Sequence, residues 1–331
     1  MARFHSTGIL FSFTILAIFA AGGAWMIMLP GSSHKGPLPP MTATEAEAEL
    51  RLREQVTTLA GTIGERNTRR YQALQRAADY ISGRFASCGF RVRGQDYTAD
   101  GMEVRNIVAE IAGTVRPAEI VIIGAHYDSP PGSPGADDNA SGVAAVLELA
   151  RRFSHGKPAR TLRFVAFTNE EPPYFQTGLM GSRVYASGAK RRNEKIVAML
   201  DLESIGYYSD APGSQLYPFP FNLFYPDTGN FIGFVGNFGS RSLLRRAIGA
   251  FRTSTPFPSE GVSSPEFITG IGWSDHWSFW QEGYPALMVT GTALFRNPHY
   301  HQPTDTPDRL DYGRMARVVG GLEQVVRDLV K

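Results

Sequence analysis

Residues 119–153 read EIVIIGAHYDSPPGSPGADDNASGVAAVLELARRF. The opening EIVIIGAH, Glu119 to His126, is a nearly continuous apolar run, the pattern of a strand buried on both faces of a parallel sheet. The closing SGVAAVLELARRF, Ser141 to Phe153, carries apolar residues at spacings of three and four and reads as a helix. A buried strand, a Gly- and Pro-rich turn and a helix make half of a β-α-β unit. The turn packs His126, Asp128, Asp137 and Asp138 together. Charges that close repel unless something positive sits among them.

Working outward, the same grammar repeats. TLRFVAFTNEE (Thr161–Glu171), KIVAMLDLES (Lys195–Ser204) and YPALMVTG (Tyr284–Gly291) read as further buried strands. FRVRGQDYTADGMEVRNIVAEIAG reads as strand, turn, strand, with Asp100-Gly101 at the turn. Residues from Met41 to Asp79 are helical in pattern, and YGRMARVVGGLEQVVRDLV closes the chain as an amphipathic helix. The expected fold is therefore α/β: a mixed, mostly parallel central sheet flanked by helices, in a single globular domain over residues 41–331. In such sheets ligands sit at the carboxyl ends of the strands. Four strand ends here deliver acids or imidazoles: His126 with Asp128, Glu170 with Glu171, Asp201, and His301 in the loop after the last strand.

Residues 1–40 differ from the rest. Gly8 to Leu29 contains no charged side chain and is long enough to cross a bilayer. Ala20, Ala21 and Ala24 could supply a signal-peptide cleavage site, but the apolar run continues past them, which favours an uncleaved anchor. Either reading places the catalytic mass outside the cytoplasm, periplasmic or extracellular, membrane-anchored or secreted after cleavage. PGSSHKGPLPP then forms a linker.

Composition narrows the function. With 33 Lys plus Arg against 31 Asp plus Glu, the chain carries no charge excess that would strongly attract nucleic acid or acidic membranes. The 35 glycines and 22 prolines imply many turns, which suits an α/β enzyme better than a helical bundle. Its one cysteine, Cys88, excludes an intrachain disulfide and a thiolate metal site.

A site of carboxylates and imidazoles suits Zn²⁺ or another divalent first-row ion. Two histidines and three or more acids are too many for one tetrahedral zinc. They suit a pair of ions, about 3.5–4 Å apart, sharing a bridging carboxylate. Glu170 and Glu171 are neighbours at a strand end and point different ways, so one can bind metal while the other stays free as a base.

The pieces GAHYDS, GADDNASGVAAVLELAR, FTNEE, GLMGS, MLDLESIGYYSDAPGS, SDH and NPHYHQPTDTPD resemble, in order, the M28 family of zinc peptidases, over about Arg69 to Leu310. The resemblance implies a co-catalytic site holding two Zn²⁺ per chain. His126 resembles a ligand of one zinc and Asp128 the carboxylate that orients its ring. Asp138 resembles the bridging aspartate, some relatives having a cis peptide just after it. Glu170 resembles the general base and Glu171 a ligand of the other zinc. Asp201 would share a zinc with His126, although Glu203 two residues on is a rival. His301, in the H-x-P-x-D-T turn, would share the other zinc with Glu171, in preference to His299. Asp275 of SDH resembles an orienting carboxylate, and His276 reads as structural or pocket-lining.

The implied activity is that of an exopeptidase, an aminopeptidase acting on peptides with a free N-terminus through a metal-bridging hydroxide, with Glu170 as the proton shuttle. Two rivals stand beside it: a glutaminyl-cyclase-like acyltransferase with a single zinc, and a receptor-like relative without metals. The insert PPYFQT, Pro172 to Thr177, departs from the family's spacing, so specificity does not carry over. Trp273, Trp277, Trp280 and YPFPFNLFYP (Tyr217–Pro226) either line an apolar pocket or pack as core. Asn139-Ala140-Ser141 matches a glycosylation acceptor but lies inside the proposed site and reads as chance. The sequence is silent on oligomeric state.

Overall fold

A computed structural model of the chain describes residues 23 and 25–331. It contains an eight-stranded sheet in the order β1-β2-β4-β3-β5-β8-β6-β7. Strand β3 (Arg116–His126) lies at its centre, between β4 (Arg160–Phe167) and β5 (Lys195–Glu203), and all three run parallel. β8 (Ala286–Thr290) continues the parallel set beyond β5. Side chains alternate along β3. Val121, Ile123 and Ala125 enter one apolar cluster, and Ile120 and Ile122 the other. That is the double burial its unbroken apolar run requires.

The first cluster joins the sheet to α1 (Ala43–Val56), α2 (Tyr71–Ser87), α3 (Gly142–Phe153), α5 (Arg241–Ser254) and α7 (Tyr312–Leu329). The second joins it to α4 (Gly181–Arg191) and α6 (His276–Trp280). Thr42 starts α1 with a capping box: its hydroxyl accepts the Glu45 N–H while the Glu45 carboxylate accepts the Thr42 N–H at 2.7 Å. Glu148 of α3 is buried and receives Arg51 of α1 at 3.0 Å, with Arg151 and Arg152 at 2.9 Å each.

On one flank, β1 (Arg93–Ala99) and β2 (Met102–Ile111) form a hairpin whose turn residues Asp100 and Gly101 both have positive φ, as a tight two-residue turn demands. On the other flank lie β6 (Ile232–Gly236), antiparallel to β8, and β7 (Ser259–Ser263), parallel to β6. These two are five residues each and glycine-bearing, so they carry little apolar pattern to read.

The free edge of β7 is covered. Its outward carbonyls at Ser259 and Gly261 accept the Arg252 guanidinium and the Tyr225 hydroxyl, both at 2.7 Å. The Ser259 N–H donates to Ser33 at 2.9 Å, and Arg252 also reaches the Pro30 carbonyl at 3.1 Å. Residues 30–33 thus lie along this edge. No helix among the described residues is long and apolar enough to cross a membrane. Most of the apolar Gly8–Leu29 run, on which the anchor expectation rests, falls outside the described residues.

Candidate metal centre

The site forms where β3, β4 and β5 end together. His126 closes β3, and the next carboxylate, Asp128, accepts the N–H groups of Glu170 and Glu171, each at 3.1 Å. One acid thereby fixes the backbone that presents the two glutamates and faces the His126 Nδ1 at 3.5 Å. The loop after β3 is held from behind by Arg66, which is fully buried. Its guanidinium donates to the carbonyls of Tyr127 and Pro134 at 2.6 Å and of Gly135 at 2.8 Å. Gly135 has φ +63°, and a Cβ there would stand 2.4 Å from the Asp138 carbonyl oxygen, so only glycine fits. Asp305 supports the same loop by accepting the N–H groups of Asp137 at 2.9 Å and Asp138 at 3.1 Å.

Asp138 is thus carried into the centre, and the Asp138–Asn139 peptide is cis. Its carboxylate faces both ways. Oδ1 lies 3.2 Å from His126 Nε2, and Oδ2 lies 3.0 Å from His301 Nε2. Each imidazole has a second acid: Glu203 Oε2 stands 3.2 Å from His126 Nε2, and Glu171 Oε2 stands 3.5 Å from His301 Nε2. Glu170 is outside both groups, with Oε2 4.0 Å from His126 Nε2. Ligand atoms of His126, Asp138 and Glu171 lie within 4.8 Å of one another.

One expectation needs correction. Asp201 does not reach this centre. Its Oδ2 accepts the His276 N–H and sits on His276 Nδ1, both at 3.1 Å. Asp201 and Glu203 share a face of β5, and two residues of strand put Asp201 about 6–7 Å short of the strand end. The acid paired with His126 is therefore Glu203. It is aimed by Ser204 Oγ at 2.6 Å, Ser274 Oγ at 2.8 Å and Asn139 Nδ2 at 3.3 Å. Asp137 is a brace: its carboxylate accepts the Gly206 N–H at 2.7 Å and the Asn297 amide at 2.8 Å.

His301 rather than His299 faces the acids; His299 instead contacts Thr304 Oγ1 through Nδ1 at 2.9 Å. His276 is structural, its Nε2 lying 2.8 Å from the Ile271 carbonyl oxygen. Asp275 is fully buried and makes no bond to any member of the centre. Asn139 is buried with its amide on the Leu202 carbonyl at 2.8 Å, so its nitrogen is not open to a glycan.

The electrostatics are those of a site built for cations. Burial, reinforced by neighbouring acids, pushes Glu170, Glu171 and Glu203 above the usual carboxylate range. His126 is held well above the usual imidazole value because the carboxylates around it outweigh its burial. Asp138, though buried, is held low by the two imidazoles that face its oxygens. His301 Nε2 and Glu171 Oε1 are buried without a hydrogen-bond partner. Crowded acids, imidazoles aimed inward and orphaned donor atoms fit two divalent ions. His126, Asp138 and Glu203 would hold one; His301, Asp138 and Glu171 would hold the other.

Beside the centre opens an apolar cavity. Glu170 and Glu203 stand at its reactive end, and Tyr217, Phe221, Tyr225, Phe234, Ile271 and Met288 supply apolar wall. Of the tryptophans, Trp273 lines this cavity. Trp280 is core, donating to Ser240 Oγ at 3.0 Å and the Ala286 carbonyl at 2.9 Å. Trp277 packs partly buried against the second cluster. The Pro172–Thr177 insert docks on the loop before Trp273, with Gln176 Nε2 donating to the Gly272 carbonyl at 3.0 Å.

An α/β sheet with paired imidazole-carboxylate sets at its strand ends defines a metallohydrolase. The sequence profile named Peptidase family M28 matches residues 106–326, and the chain belongs to that family. It is accordingly a peptidase-class hydrolase. The uncharacterised protein YfbL of Escherichia coli is 40% identical over 326 residues, covering 95% of this chain and 97% of its own. Leucine aminopeptidase 1 of Arthroderma otae is 29% identical over 240 residues, or 68% of this chain and 58% of its own. Among solved structures, BSAP, a zinc aminopeptidase from Bacillus subtilis, superposes with a TM-score of 0.68 at 15% identity, covering 86% of this chain and 95% of that one. A glutaminyl cyclase from Fimbriiglobus ruber superposes with a TM-score of 0.63 at 18% identity, covering 89% and 98%. At such identities these two likenesses speak for the fold alone.

Proposed function

We propose that the chain is a di-zinc aminopeptidase that releases N-terminal residues with large apolar side chains. The observation that carries the reading is the two-way carboxylate of Asp138, each oxygen facing a different imidazole with its own second acid. When bound, a zinc pair polarises the scissile carbonyl and lowers the pKa of the attacking water toward ~7. Glu170 is the group left free of both ligand sets. Its raised proton affinity suits it to take a proton from the attacking water and return it to the leaving amine. Asp128 keeps the His126 ring and the Glu170 backbone in place. The acids around the centre suit a cationic α-amine, and the apolar cavity beside Glu170 suits a leucine- or phenylalanine-sized side chain. The leucine aminopeptidase relative agrees with that preference.

Two complete ligand sets favour hydrolysis over a single-zinc cyclase, and an intact base favours catalysis over a metal-free receptor. We further place the uncharged run that begins at Gly8 in a bilayer up to about position 24, ahead of the residues that pack on the domain, with the peptidase domain outside the cytoplasm; its length without a charged residue supports this.

The test is a panel of aminoacyl chromogenic substrates turned over by the zinc-loaded full chain, with Glu170→Gln alongside. Leucyl and phenylalanyl substrates should lead the panel. The variant should keep its zinc and lose about 10²–10⁴-fold in kcat. Absence of turnover on every free-amine substrate, with two zincs bound, would overturn the aminopeptidase reading in favour of acyl-transfer chemistry.

A further inference from the structure

The free edge of β7 is covered by two segments, residues 25–33 and the loop 216–226, and both turn apolar side chains outward. On the loop, Phe219 is 80% exposed, Leu223 66% and Phe224 57%. On the N-terminal segment, Met28 is 66% exposed and Trp25 46%. The segments meet at Gly261, whose carbonyl accepts the Tyr225 hydroxyl and on which a Cβ would stand 2.6 Å from Leu29 Cδ1. Outward side chains of this size, gathered on one edge, are more than scattered surface leucines.

Two observations say what covers the patch. First, position 25 is where the described chain meets the uncharged run that starts at Gly8, so whatever receives that run lies against this edge. Second, the patch has the chemistry of a membrane interface. The Arg241 guanidinium stacks on the Trp25 ring at 4.1 Å, and the same ring meets Phe238 edge-on at 5.4 Å. Arg241 and Arg245 both donate to the Met28 carbonyl, at 3.3 and 3.0 Å. Aromatic rings with arginines behind them match the headgroup layer, where rings sit at the polar boundary and cations meet anionic lipid.

We infer that the β7 edge lies on the surface of a lipid bilayer, with Phe219, Leu223 and Phe224 inserted among the headgroups beside the N-terminal segment. The inference rests on the membrane placement of the run that begins at Gly8 but not on the aminopeptidase reading. Tyr217, Phe221 and Tyr225 of the same loop line the substrate cavity, so the loop that touches lipid also forms the wall of the site. The domain is then held on its side, with the cavity beside the membrane plane.

The experiment uses the full chain with Cys88 replaced by alanine and one environment-sensitive fluorophore attached at Phe219→Cys. A control carries it at Val115→Cys, which is 72% exposed at the opposite, amino-terminal end of β3. Both are mixed with vesicles of phosphatidylcholine and phosphatidylglycerol, with and without doxyl-labelled lipid. Flotation of the vesicles reports the N-terminal anchor by itself. The expected result is a blue shift at position 219 and loss of its emission to doxyl lipid, with neither change at 115. Flotation without quenching at 219 overturns the contact while leaving the anchor standing. A blue shift that needs no lipid and grows with protein concentration overturns it in favour of self-association.

Discussion

A carboxylate can serve a metal only from the right depth on its strand. Glu203 stands at the last position of β5 and meets His126, whereas Asp201 on the same face is spent on His276. Glu203→Ala should therefore lower bound zinc from two ions toward one per chain and cost about 10²-fold or more in turnover. Asp201→Asn should keep both ions, because the amide oxygen still accepts the His276 N–H. Metal content by emission spectroscopy checks the pair, and equal zinc loss in both would sink the assignment. Most of the centre was legible in the sequence because its motifs are local: His126 with Asp128, Asp138 before Asn139, the glutamate pair, and His301 in its proline turn. The choice between Asp201 and Glu203 was not legible. Period-two alternation puts both on one face and says nothing of how far the strand runs before the site begins. The supporting roles of Arg66 and Asn139 were also hidden, since both act through carbonyls and amides distant in sequence.

At the scale of elements, α3 owes its place to a buried acid as much as to its apolar stripe. Glu148 is held down to about 2, against an ordinary value of 4.5; burial alone would raise it, but the hydrogen bonds from Arg151, Arg51 and Arg152 prevail. Between those values the folded chain binds fewer protons than the unfolded chain. The contribution is thus complete above about 4.5 and is lost as pH falls toward about 2. Glu148→Gln should destabilise the protein by about 2 kcal/mol at neutral pH, and the difference from the parent should vanish across that acid window. Denaturant melts of both proteins at several pH values check it. The central strands are legible because an unbroken apolar run has few other uses. β6 and β7 are not legible, because five residues interrupted by glycine give no periodicity. The cavity they help wall was therefore beyond reach as well.

For the molecule as a whole, the cluster of acids makes stability depend on metal. Burial, with Asp137 and Asp138 nearby, raises Asp305 to about 8, and burial raises Asp137 to about 6, from ordinary values of 3.8. Across that range the metal-free fold keeps protons that the unfolded chain has released, so its stability declines as pH climbs. The raised glutamates act in the same direction. Divalent ions held by the neighbouring ligands would favour the ionised forms of these acids, so the melting temperatures of zinc-loaded and chelated protein should diverge from about pH 6 to about pH 8. A gap that narrows over this range would count against two metals in the cluster. The covered edge of β7 has a different consequence, for how the protein can be handled. Residues 30–33 occupy backbone groups of an edge strand or of its guard, through Ser33 on the Ser259 N–H and Pro30 on Arg252. A version shortened to begin at Met41 would leave that N–H open to a strand from another molecule. Such a truncation, chosen to gain solubility by removing the apolar run, should instead elute as dimers and larger species, while one that begins at Leu29 should stay monodisperse.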